Sequence, residues 1–359
     1  MSPRHDGRVV VLQSFGRPRP TTNPYLQLLA RSVPADRVHM LPFSWRTALV
    51  GRWDVFHVHW PDVLIRGSGR VRTIGRQLAA LALLLRIRVT GAGLVRTVHN
   101  VRPHEGGSRL EQLVLGLFDR WTTAQIELGP VRAPQVRAPA TLVPHGHYQD
   151  WYRGADVPDS VPGRLMYFGL IRPYKGVLPL VGAFRELADP ALSLRVAGQV
   201  PSPQLRAELE LALSSTPSAS GLLEHVDDAT LAAEVGHAEL VVLPYLEMGN
   251  SGAALLALSL GRPVLVPASE STRALAAEVG EAWVLTYDGE LGPDILRQGL
   301  ARARAGHDAG ATPDLGAREW VAAGRRHADV YAAAPRRARR RARFSEPGSP
   351  AGRGTSRST

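Results

Sequence analysis

The chain contains 43 lysine and arginine residues, and Lys175 is the only lysine among them. Lys175 stands three residues after Arg172, behind the predicted strand Leu165–Phe168 and at the expected start of a helix. Helix N-termini favour anions, because their backbone N–H groups are unpaired and the helix dipole is positive there. Two cations at such a terminus suit a diphosphate whose negative charge grows as it leaves. The alternative is a solvated arginine and lysine that only flank a helix start.

A second segment with the chemistry of an anion site precedes another apolar helix. The run from Glu247 to Gly252 follows the predicted strand Leu240–Pro244 and includes Asn250 and Ser251. Small residues with capping side chains leave backbone N–H groups available at a helix start. Read alone, the run is equally an ordinary helix cap. Because both segments follow strands of the same half, we expect them along one edge of a cleft.

Histidines gather where the predicted strands of the first half end. His59 and His99 end two strands, and Asp62 and Glu105 follow them closely. Imidazole and carboxylate groups can bind acceptor hydroxyls or move protons, so these four residues are candidates for a general base. Other histidines of this half are interpreted as structural or turn-forming: His57, His145 and His147. A zinc site is a weaker alternative, since no recognised ligand spacing is present. No metal site is therefore predicted.

Short β-branched runs alternate with helical patterns along the chain, which predicts an α/β protein with parallel sheets and helices on both faces. The strands of the first half are predicted at Val9–Gln13, Val38–Pro42, Val55–Trp60, Leu94–His99, Gln125–Leu128 and Thr141–Pro144. Those of the second half are predicted at Leu165–Phe168, Leu192–Ala197, Leu222–His225, Leu240–Pro244, Val264–Pro267 and Ala282–Thr286. Two doubly wound domains of this kind bind ligands at the carboxyl ends of their strands.

Proline-rich and polar stretches divide the chain into two predicted domains and a tail. Residues 130–139 and 152–163 form the expected hinge, so the domains are predicted at 1–157 and 158–335. The last helical pattern begins at Trp320 and is expected to cross back to the first domain. The tail, residues 336–359, has eight arginines against one acid and is predicted to be disordered. It either docks on anionic lipid or is simply solvated.

Composition excludes several classes of function. The absence of cysteine rules out disulfides and thiol chemistry and fits a reducing cytoplasm. The longest apolar run, Leu78–Leu85, is far shorter than the ~20 residues that span a bilayer, and no signal peptide is expected. The net charge of +11 resides mostly in the tail, which argues against a nucleic-acid binder. Gly16 follows the first strand without a dinucleotide or P-loop pattern, and no serine hydrolase elbow is present.

Three segments of the second half resemble GT-B glycosyltransferases, especially the family 4 type. Phe168–Gly176 is similar to their Gly…Arg…Lys-Gly donor-phosphate motif. His225–Leu231 is similar to their valine–acidic–leucine segment, and Gly252–Val264 to their donor helix with its closing Gly-Arg-Pro-Val. The histidine segments of the first half resemble a bacterial subgroup that includes mannosyltransferases of exopolysaccharide and glycolipid assembly. The resemblance covers about residues 9–330.

The resemblance implies a GT-B fold of two Rossmann-like domains facing across a cleft, with a role for each matching residue. Arg172 and Lys175 would hold the donor diphosphate and act in catalysis with His99 and His59. The remaining donor-binding residues would be Gly169, His225, Val226, Glu247, Asn250, Ser251 and Gly252. The acceptor side would include Gly16, Asp62, Asn100, Glu105, His145 and His147. The second of the family's paired glutamates falls on Leu255 or Leu256, which puts ribose recognition in doubt.

The function that the resemblance implies is glycosyl transfer from a nucleotide-diphosphate sugar, with GDP-mannose the leading donor. The acceptor would be a glycan or a polyprenyl-linked glycan, and no cofactor or metal is expected. We expect a cytoplasmic enzyme, and peripheral contact between its basic tail and the membrane is one of the two alternatives for that tail. The alternatives are an inactive GT-B-like binding module and a GT-B-type sugar-nucleotide epimerase. Whether transfer retains or inverts the anomeric configuration is left open.

Overall fold

The structure is a computed structural model, and it describes residues 7–19, 22–99, 108–130, 136–245, 252–306 and 310–335. These residues form two six-stranded sheets in which the neighbouring strands are parallel. The predicted α/β architecture is therefore confirmed. No helix among the described residues is long and apolar enough to cross a membrane.

The first sheet is built from the N-terminal half of the chain. Its strands are β1 (Val9–Gln13), β2 (Val38–Leu41), β3 (Val55–Val58), β4 (Gly93–Val98), β5 (Ala124–Glu127) and β6 (Ala140–Leu142). They pair in the order β2-β1-β3-β4-β5-β6. The helices of this half are α1 (Pro24–Ser32), α2 (Trp45–Val50), α3 (Pro61–Ile65), α4 (Arg70–Thr90) and α5 (Arg109–Trp121).

The second sheet repeats the alternation with its own strands and helices. Its strands are β7 (Arg164–Phe168), β8 (Ser193–Ala197), β9 (Ala219–Leu222), β10 (Leu240–Val242), β11 (Val264–Pro267) and β12 (Val284–Tyr287), paired in the order β12-β11-β10-β7-β8-β9. Its helices are α6 (Val177–Leu187), α7 (Pro203–Ser214), α8 (Asp228–Gly236), α9 (Gly252–Ser259), α10 (Glu270–Val279) and α11 (Pro293–Gly306).

Burial on both faces explains why the strands have nearly continuous apolar sequences. In β1, Val11 packs into one hydrophobic cluster while Val10 and Leu12 pack into another on the opposite face. The second cluster includes Leu83 and Leu84 of α4, which cover the outer face of the first sheet. Parallel sheets need such cover on both sides, since no face is left for solvent.

The last helix, α12 (Trp320–Ala333), packs against α1 and against strands β1 and β4. Gly324 makes this close approach possible, because a Cβ there would lie 2.1 Å from the carbonyl oxygen of Ser32. Tyr331 is fully buried at the other end of the contact. The chain thus returns to its first sheet after completing the second. The domain boundary near residue 158 stays a prediction.

The predicted strand bounds mostly differ from the observed ones by one or two residues, and the larger differences concern one strand and two short helices. Strand β9 is Ala219–Leu222 rather than Leu222–His225, because backbone pairing with β8 holds a segment of low strand propensity in the ladder. Helices α2 and α3 were not predicted. Their local signals are a Ser44 side chain that caps α2 and Pro61 at the first position of α3.

Candidate functional site

Lys175 lies in a 3-10 turn between β7 and α6. The turn spans Pro173–Lys175 and ends at Gly176, whose φ of +67° is in the left-handed region. A Cβ on Gly176 would lie 2.2 Å from the carbonyl oxygen of Pro244, so only glycine fits at this position. Gly176 therefore fixes where Lys175 stands relative to the end of the neighbouring strand β10.

The Lys175 ammonium is held against aromatic rings rather than against a carboxylate. Its Nζ lies 3.4 Å from the ring centroid of Tyr245 and 5.3 Å from that of Tyr174. Burial and, to a smaller extent, the nearby positive charge of Arg172 lower the pKa of Lys175 to about 8. In the part of the chain that the structure describes, no carboxylate forms an ion pair with either cation. Both are available for an external anion.

Backbone groups beside Lys175 complete the anion-binding chemistry. Helix α6 begins without a side-chain cap, so the N–H groups of its first turn remain available. Gly169 ends β7 with a φ of +119°, and its N–H donates to the carbonyl of Ala197 at 3.0 Å. A Cβ on Gly198 would lie 2.0 Å from the Gly169 carbonyl oxygen. The two strand ends thus approach each other closely behind the turn that holds Lys175.

The predicted donor residues His225 and Val226 follow β9. His225 is exposed, and Val226 is half-buried against the large hydrophobic cluster. The next residue, Asp227, caps α8 by accepting the N–H groups of Ala229 and Thr230 at 3.0 Å each. Among the described residues, no hydrogen bond or ring contact joins His225 to Lys175. The capping of α8 by Asp227 therefore gives this segment a local structural explanation.

Five predicted site residues lie outside the described residues: Asn100, Glu105, Glu247, Asn250 and Ser251. Gly252, at the start of α9, is described and meets the first half of the chain directly. A Cβ there would lie 3.2 Å from the Tyr148 hydroxyl oxygen and 3.5 Å from Nε2 of His145. The N–H of Tyr148 also donates to Oγ of Ser259 at 2.8 Å. The two halves therefore come together at the start of this helix.

His59 and His99 form a pair at the ends of β3 and β4. Nδ1 of His59 lies 3.2 Å from Nε2 of His99, so one ring donates a hydrogen bond to the other. Burial lowers the pKa of both rings well below 6.5, which keeps them neutral at pH 7. Trp60 stacks on His99 with 4.1 Å between ring centroids, and the edge of Tyr25 meets His99 at 5.1 Å. The pair is thus an uncharged, aromatic-walled site suited to hydroxyl groups.

Behind this pair, His57 belongs to a buried network that includes the last helix. Its Nε2 lies 2.8 Å from Oγ1 of Thr97, and its Nδ1 lies 2.7 Å from the hydroxyl of Tyr331. The Gln13 side-chain amide donates to the same hydroxyl at 3.4 Å. Both nitrogens of His57 are engaged, which is consistent with its structural interpretation.

His145 and His147 lie where the last helix meets the first half. Nδ1 of His145 donates to the carbonyl of Gly146 at 2.8 Å, and burial lowers the pKa of His145 to about 4. Nε2 of His147 lies 3.4 Å from a carboxylate oxygen of Glu319. The Trp320 indole donates to the carbonyl of His147 at 2.6 Å. His145 thus directs its other nitrogen towards Gly252, while His147 is held by the beginning of α12.

The other two acceptor-side candidates, Gly16 and Asp62, make fewer contacts than the histidines do. Gly16 follows β1 in an exposed position, and a Cβ there would meet nothing within 4 Å. Asp62 lies in the first turn of α3, and its charge raises the pKa of Arg96 against the larger lowering effect of burial. Neither residue contacts the histidine pair in the described part of the chain.

A cavity of about 190 Å³ lies between the two halves and is lined by His145, Leu255 and Arg318, among others. Leu255 is buried and occupies one of the two positions where the resemblance places a ribose-binding glutamate. An aliphatic side chain cannot hydrogen-bond a ribose hydroxyl. Across the described ranges, no group of three or more histidine, aspartate or glutamate residues could hold a metal ion.

Sequence reasoning missed the aromatic residues that surround His145. Tyr25, Tyr148 and Trp320 surround His145, with Tyr25 at 4.7 Å, Tyr148 at 5.7 Å and Trp320 at 6.4 Å between ring centroids. They come from three distant parts of the chain and belong to no local motif. Gly146 was the available signal, because a Cβ there would lie 2.3 Å from the Trp320 ring.

Comparisons with known proteins identify relatives of the whole fold. The family described as "Glycosyl transferases group 1" matches residues 162–293. Over 325 residues the chain is 44% identical to the GDP-mannose:glycolipid 4-beta-D-mannosyltransferase of Xanthomonas campestris pv. campestris, covering 90% of this chain and 92% of that protein. This match extends through both halves.

Solved structures give the same architecture at lower sequence identity. AviGT4, a glycosyltransferase involved in avilamycin A biosynthesis, is 16% identical with a TM-score of 0.53, covering 90% of this chain and 97% of its own. Anabaena HepE in complex with UDP is 13% identical with a TM-score of 0.54, covering 94% and 99%. These likenesses confirm the predicted GT-B fold.

Proposed function

The chain belongs to the group 1 glycosyltransferases, and we propose that it transfers mannose from GDP-mannose to a glycan carried on a lipid. The proposal rests on the relative from Xanthomonas, whose name gives both the donor and a glycolipid acceptor. The observation that carries it within the structure is the cation pair of Lys175 and Arg172, which has no carboxylate partner in the described ranges and stands at an uncapped helix start.

In this proposal Lys175 and Arg172 bind the donor diphosphate. As the bond between the sugar C1 and the diphosphate oxygen breaks, negative charge accumulates on GDP, and the two cations offset it. In the same proposal the N–H groups at the starts of α6 and α9 add to the binding of this diphosphate, since helix N-termini favour anions. Because these groups supply positive charge directly, transfer proceeds without a metal ion or another cofactor.

The acceptor hydroxyl binds in the first half, at the His59–His99 pair. GDP-mannose holds its sugar in α linkage, so a β-linked product, as in the name of the relative, forms with inversion. Inversion needs a base that takes the hydroxyl proton as the oxygen attacks C1. We assign that role to His99, since His59 bonds one of its nitrogens and leaves Nδ1 for the acceptor. His59 positions the ring.

The cytoplasmic face of a membrane is the proposed place of action. The absence of cysteine fits a reducing compartment. In the tail, eight arginines against one acid would add attraction to anionic lipid, at about 1 kcal/mol for each cation near the surface. Replacing the tail arginines with glutamine should weaken binding to phosphatidylglycerol vesicles. Unchanged binding would contradict a role of the tail in membrane binding.

A donor screen tests the function. GDP-, UDP-, ADP- and dTDP-sugars are compared by thermal shift, and products with a lipid-linked glycan acceptor are identified by mass spectrometry. We expect GDP-mannose to stabilise the protein most, by ~2.7 kcal/mol at 100 times its Kd, and to give mannosylated acceptor. Binding without any transfer would indicate an inactive module. Release of free sugar without an acceptor would indicate an epimerase.

A further inference from the structure

Helix α4 presents a continuous stripe of large aliphatic side chains to solvent. Val71, Ile74, Leu78, Leu85 and Val89 are between 42% and 85% exposed. Their spacings of three, four and seven residues put them on one side of the helix. Exposed aliphatic residues are normally scattered, whereas here five share one helix.

The opposite side of α4 accounts for its packing, so the stripe is not needed for the core. Leu83, Leu84 and Ile87 are buried against the first sheet with Phe56. Helices α2, α3 and α5 contact α4 from the sides. Helix α4 therefore has two apolar faces. One packs against the first sheet, and the other has no packing partner among the described residues.

Arginines flank the exposed stripe on both sides. Arg70 and Arg88 each precede a stripe residue and therefore lie to one side of it, while Arg72 follows one and lies to the other. Arg86 also follows a stripe residue, but it is half-buried and donates to the carbonyl oxygens of Ala48 and Gly51. Helix α4 contains five arginines and no acid, and the sequence has no aspartate or glutamate between Asp62 and Glu105.

Acids on the adjacent helix α5 are already paired. Glu111 forms an ion pair with Arg66, and Asp119 forms one with Arg96. They therefore do not neutralise the arginines of α4. The surface combines an aliphatic stripe with a border of one charge sign, which is the pattern of a helix that lies in a membrane interface.

We propose that α4 is a membrane-docking helix, which lies on an anionic lipid surface with its stripe among the acyl chains and its exposed arginines at the phosphates. A second copy of the chain fits this surface less well, because pairing two such helices would set arginine against arginine. Lipid phosphates supply the opposite charge. The proposal does not depend on the identity of the transferred sugar, although it would bring the first half of the chain to a lipid-linked acceptor.

The test uses the full chain and vesicles of phosphatidylcholine with or without phosphatidylglycerol. Cosedimentation of the triple variant Leu78→Ser, Leu85→Ser, Val89→Ser should fall at least about tenfold on anionic vesicles. A matched control changes Leu211→Ser and Val321→Ser, two aliphatic residues exposed on other helices. The control should bind as the unchanged protein does. Equal binding of the triple variant would overturn the proposal.

The absence of cysteine allows a second measurement that does not remove the stripe. A polarity-sensitive fluorophore is attached to the cysteine of a Leu85→Cys variant. A Leu211→Cys variant with the same label serves as the control. Anionic vesicles should shift the emission of the label at position 85 to the blue and leave the control unchanged. No shift at position 85 would contradict the proposal. A shift that depends on protein concentration without vesicles would instead indicate that a second copy covers the stripe.

Discussion

The two halves of this glycosyltransferase share an architecture but build their parts of the site differently. In the second half, Arg172, Lys175 and Gly176 come from a single turn, and the two charged side chains are half-buried. In the first half, His59, His99 and the rings around them come from distant segments and are mostly buried and neutral. Binding an anion requires a cation and backbone N–H groups, which one short segment can supply. Accepting a proton from a hydroxyl group requires a neutral imidazole ring, which packing between distant segments holds in place.

This difference has a consequence for mutants. Changes in the second half should alter the binding of GDP, while changes in the first half should alter turnover and leave GDP binding intact. Mutations that affected both properties equally would show that the two halves do not divide the work.

The largest effect is expected for Lys175→Ala. Loss of the ammonium removes a charge-assisted contact to the diphosphate, so kcat/KM should fall by about 10²–10³. The thermal shift produced by GDP should disappear. Arg185→Ala, an exposed arginine on α6, is the matched control and should behave as the unchanged enzyme does. A full GDP response in Lys175→Ala would disprove the phosphate role.

The next effect concerns His99. Replacing it with alanine removes the proposed base, and kcat should fall by about 10² or more. GDP affinity, measured by calorimetry, should stay within twofold of the unchanged value, or about 0.4 kcal/mol. His39→Gln, at an exposed histidine of β2, provides the control. If His99→Ala retained full kcat, another residue would have to accept the proton.

A pH profile sharpens the comparison further. The pKa of Lys175 is about 8 in the free protein. Above that pH the ammonium loses its proton, so GDP affinity should fall by up to about tenfold per pH unit, while below it the affinity should be flat. Lys175→Arg keeps its charge throughout and should flatten the profile. An identical decline in both proteins would assign the titration to another group.

The smallest effect is expected for the contact between the last helix and the first sheet. Tyr331→Phe removes the hydroxyl that meets His57 at 2.7 Å. The free energy of unfolding, measured with urea, should fall by about 1–3 kcal/mol, because a buried imidazole nitrogen loses its partner. Tyr174→Phe, at a partly exposed ring, should change it by less than about 0.5 kcal/mol.

The sheets and the turn that holds Lys175 were predictable from the sequence because their signals are local. Strands such as Val9–Gln13 and Val264–Pro267 have the predicted bounds, since an apolar run marks each. Lys175 stood out through its position after a strand. The roles assigned to the site residues remain predictions.

The residues that wall the proposed acceptor site could not be predicted in the same way. Trp320 and Tyr331 reach the first sheet from the end of the described chain, and no spacing rule connects them to His57 or His145. Strand β9 was displaced for a related reason, since its pairing with β8 outweighed local propensity. The positions of Trp320 and Tyr331 and the bounds of β9 are determined by contacts between distant segments.

Glycosyl transfer from GDP-mannose to a lipid-linked glycan is tested most directly by following both products of one reaction. Purified protein is incubated with labelled GDP-mannose and a lipid-linked glycan, and the released GDP and the labelled lipid are quantified together. One β-linked mannose should be transferred for each GDP released, and Lys175→Ala and His99→Ala should both slow the two products in parallel. GDP release without labelled lipid in the presence of a competent acceptor would contradict glycosyl transfer.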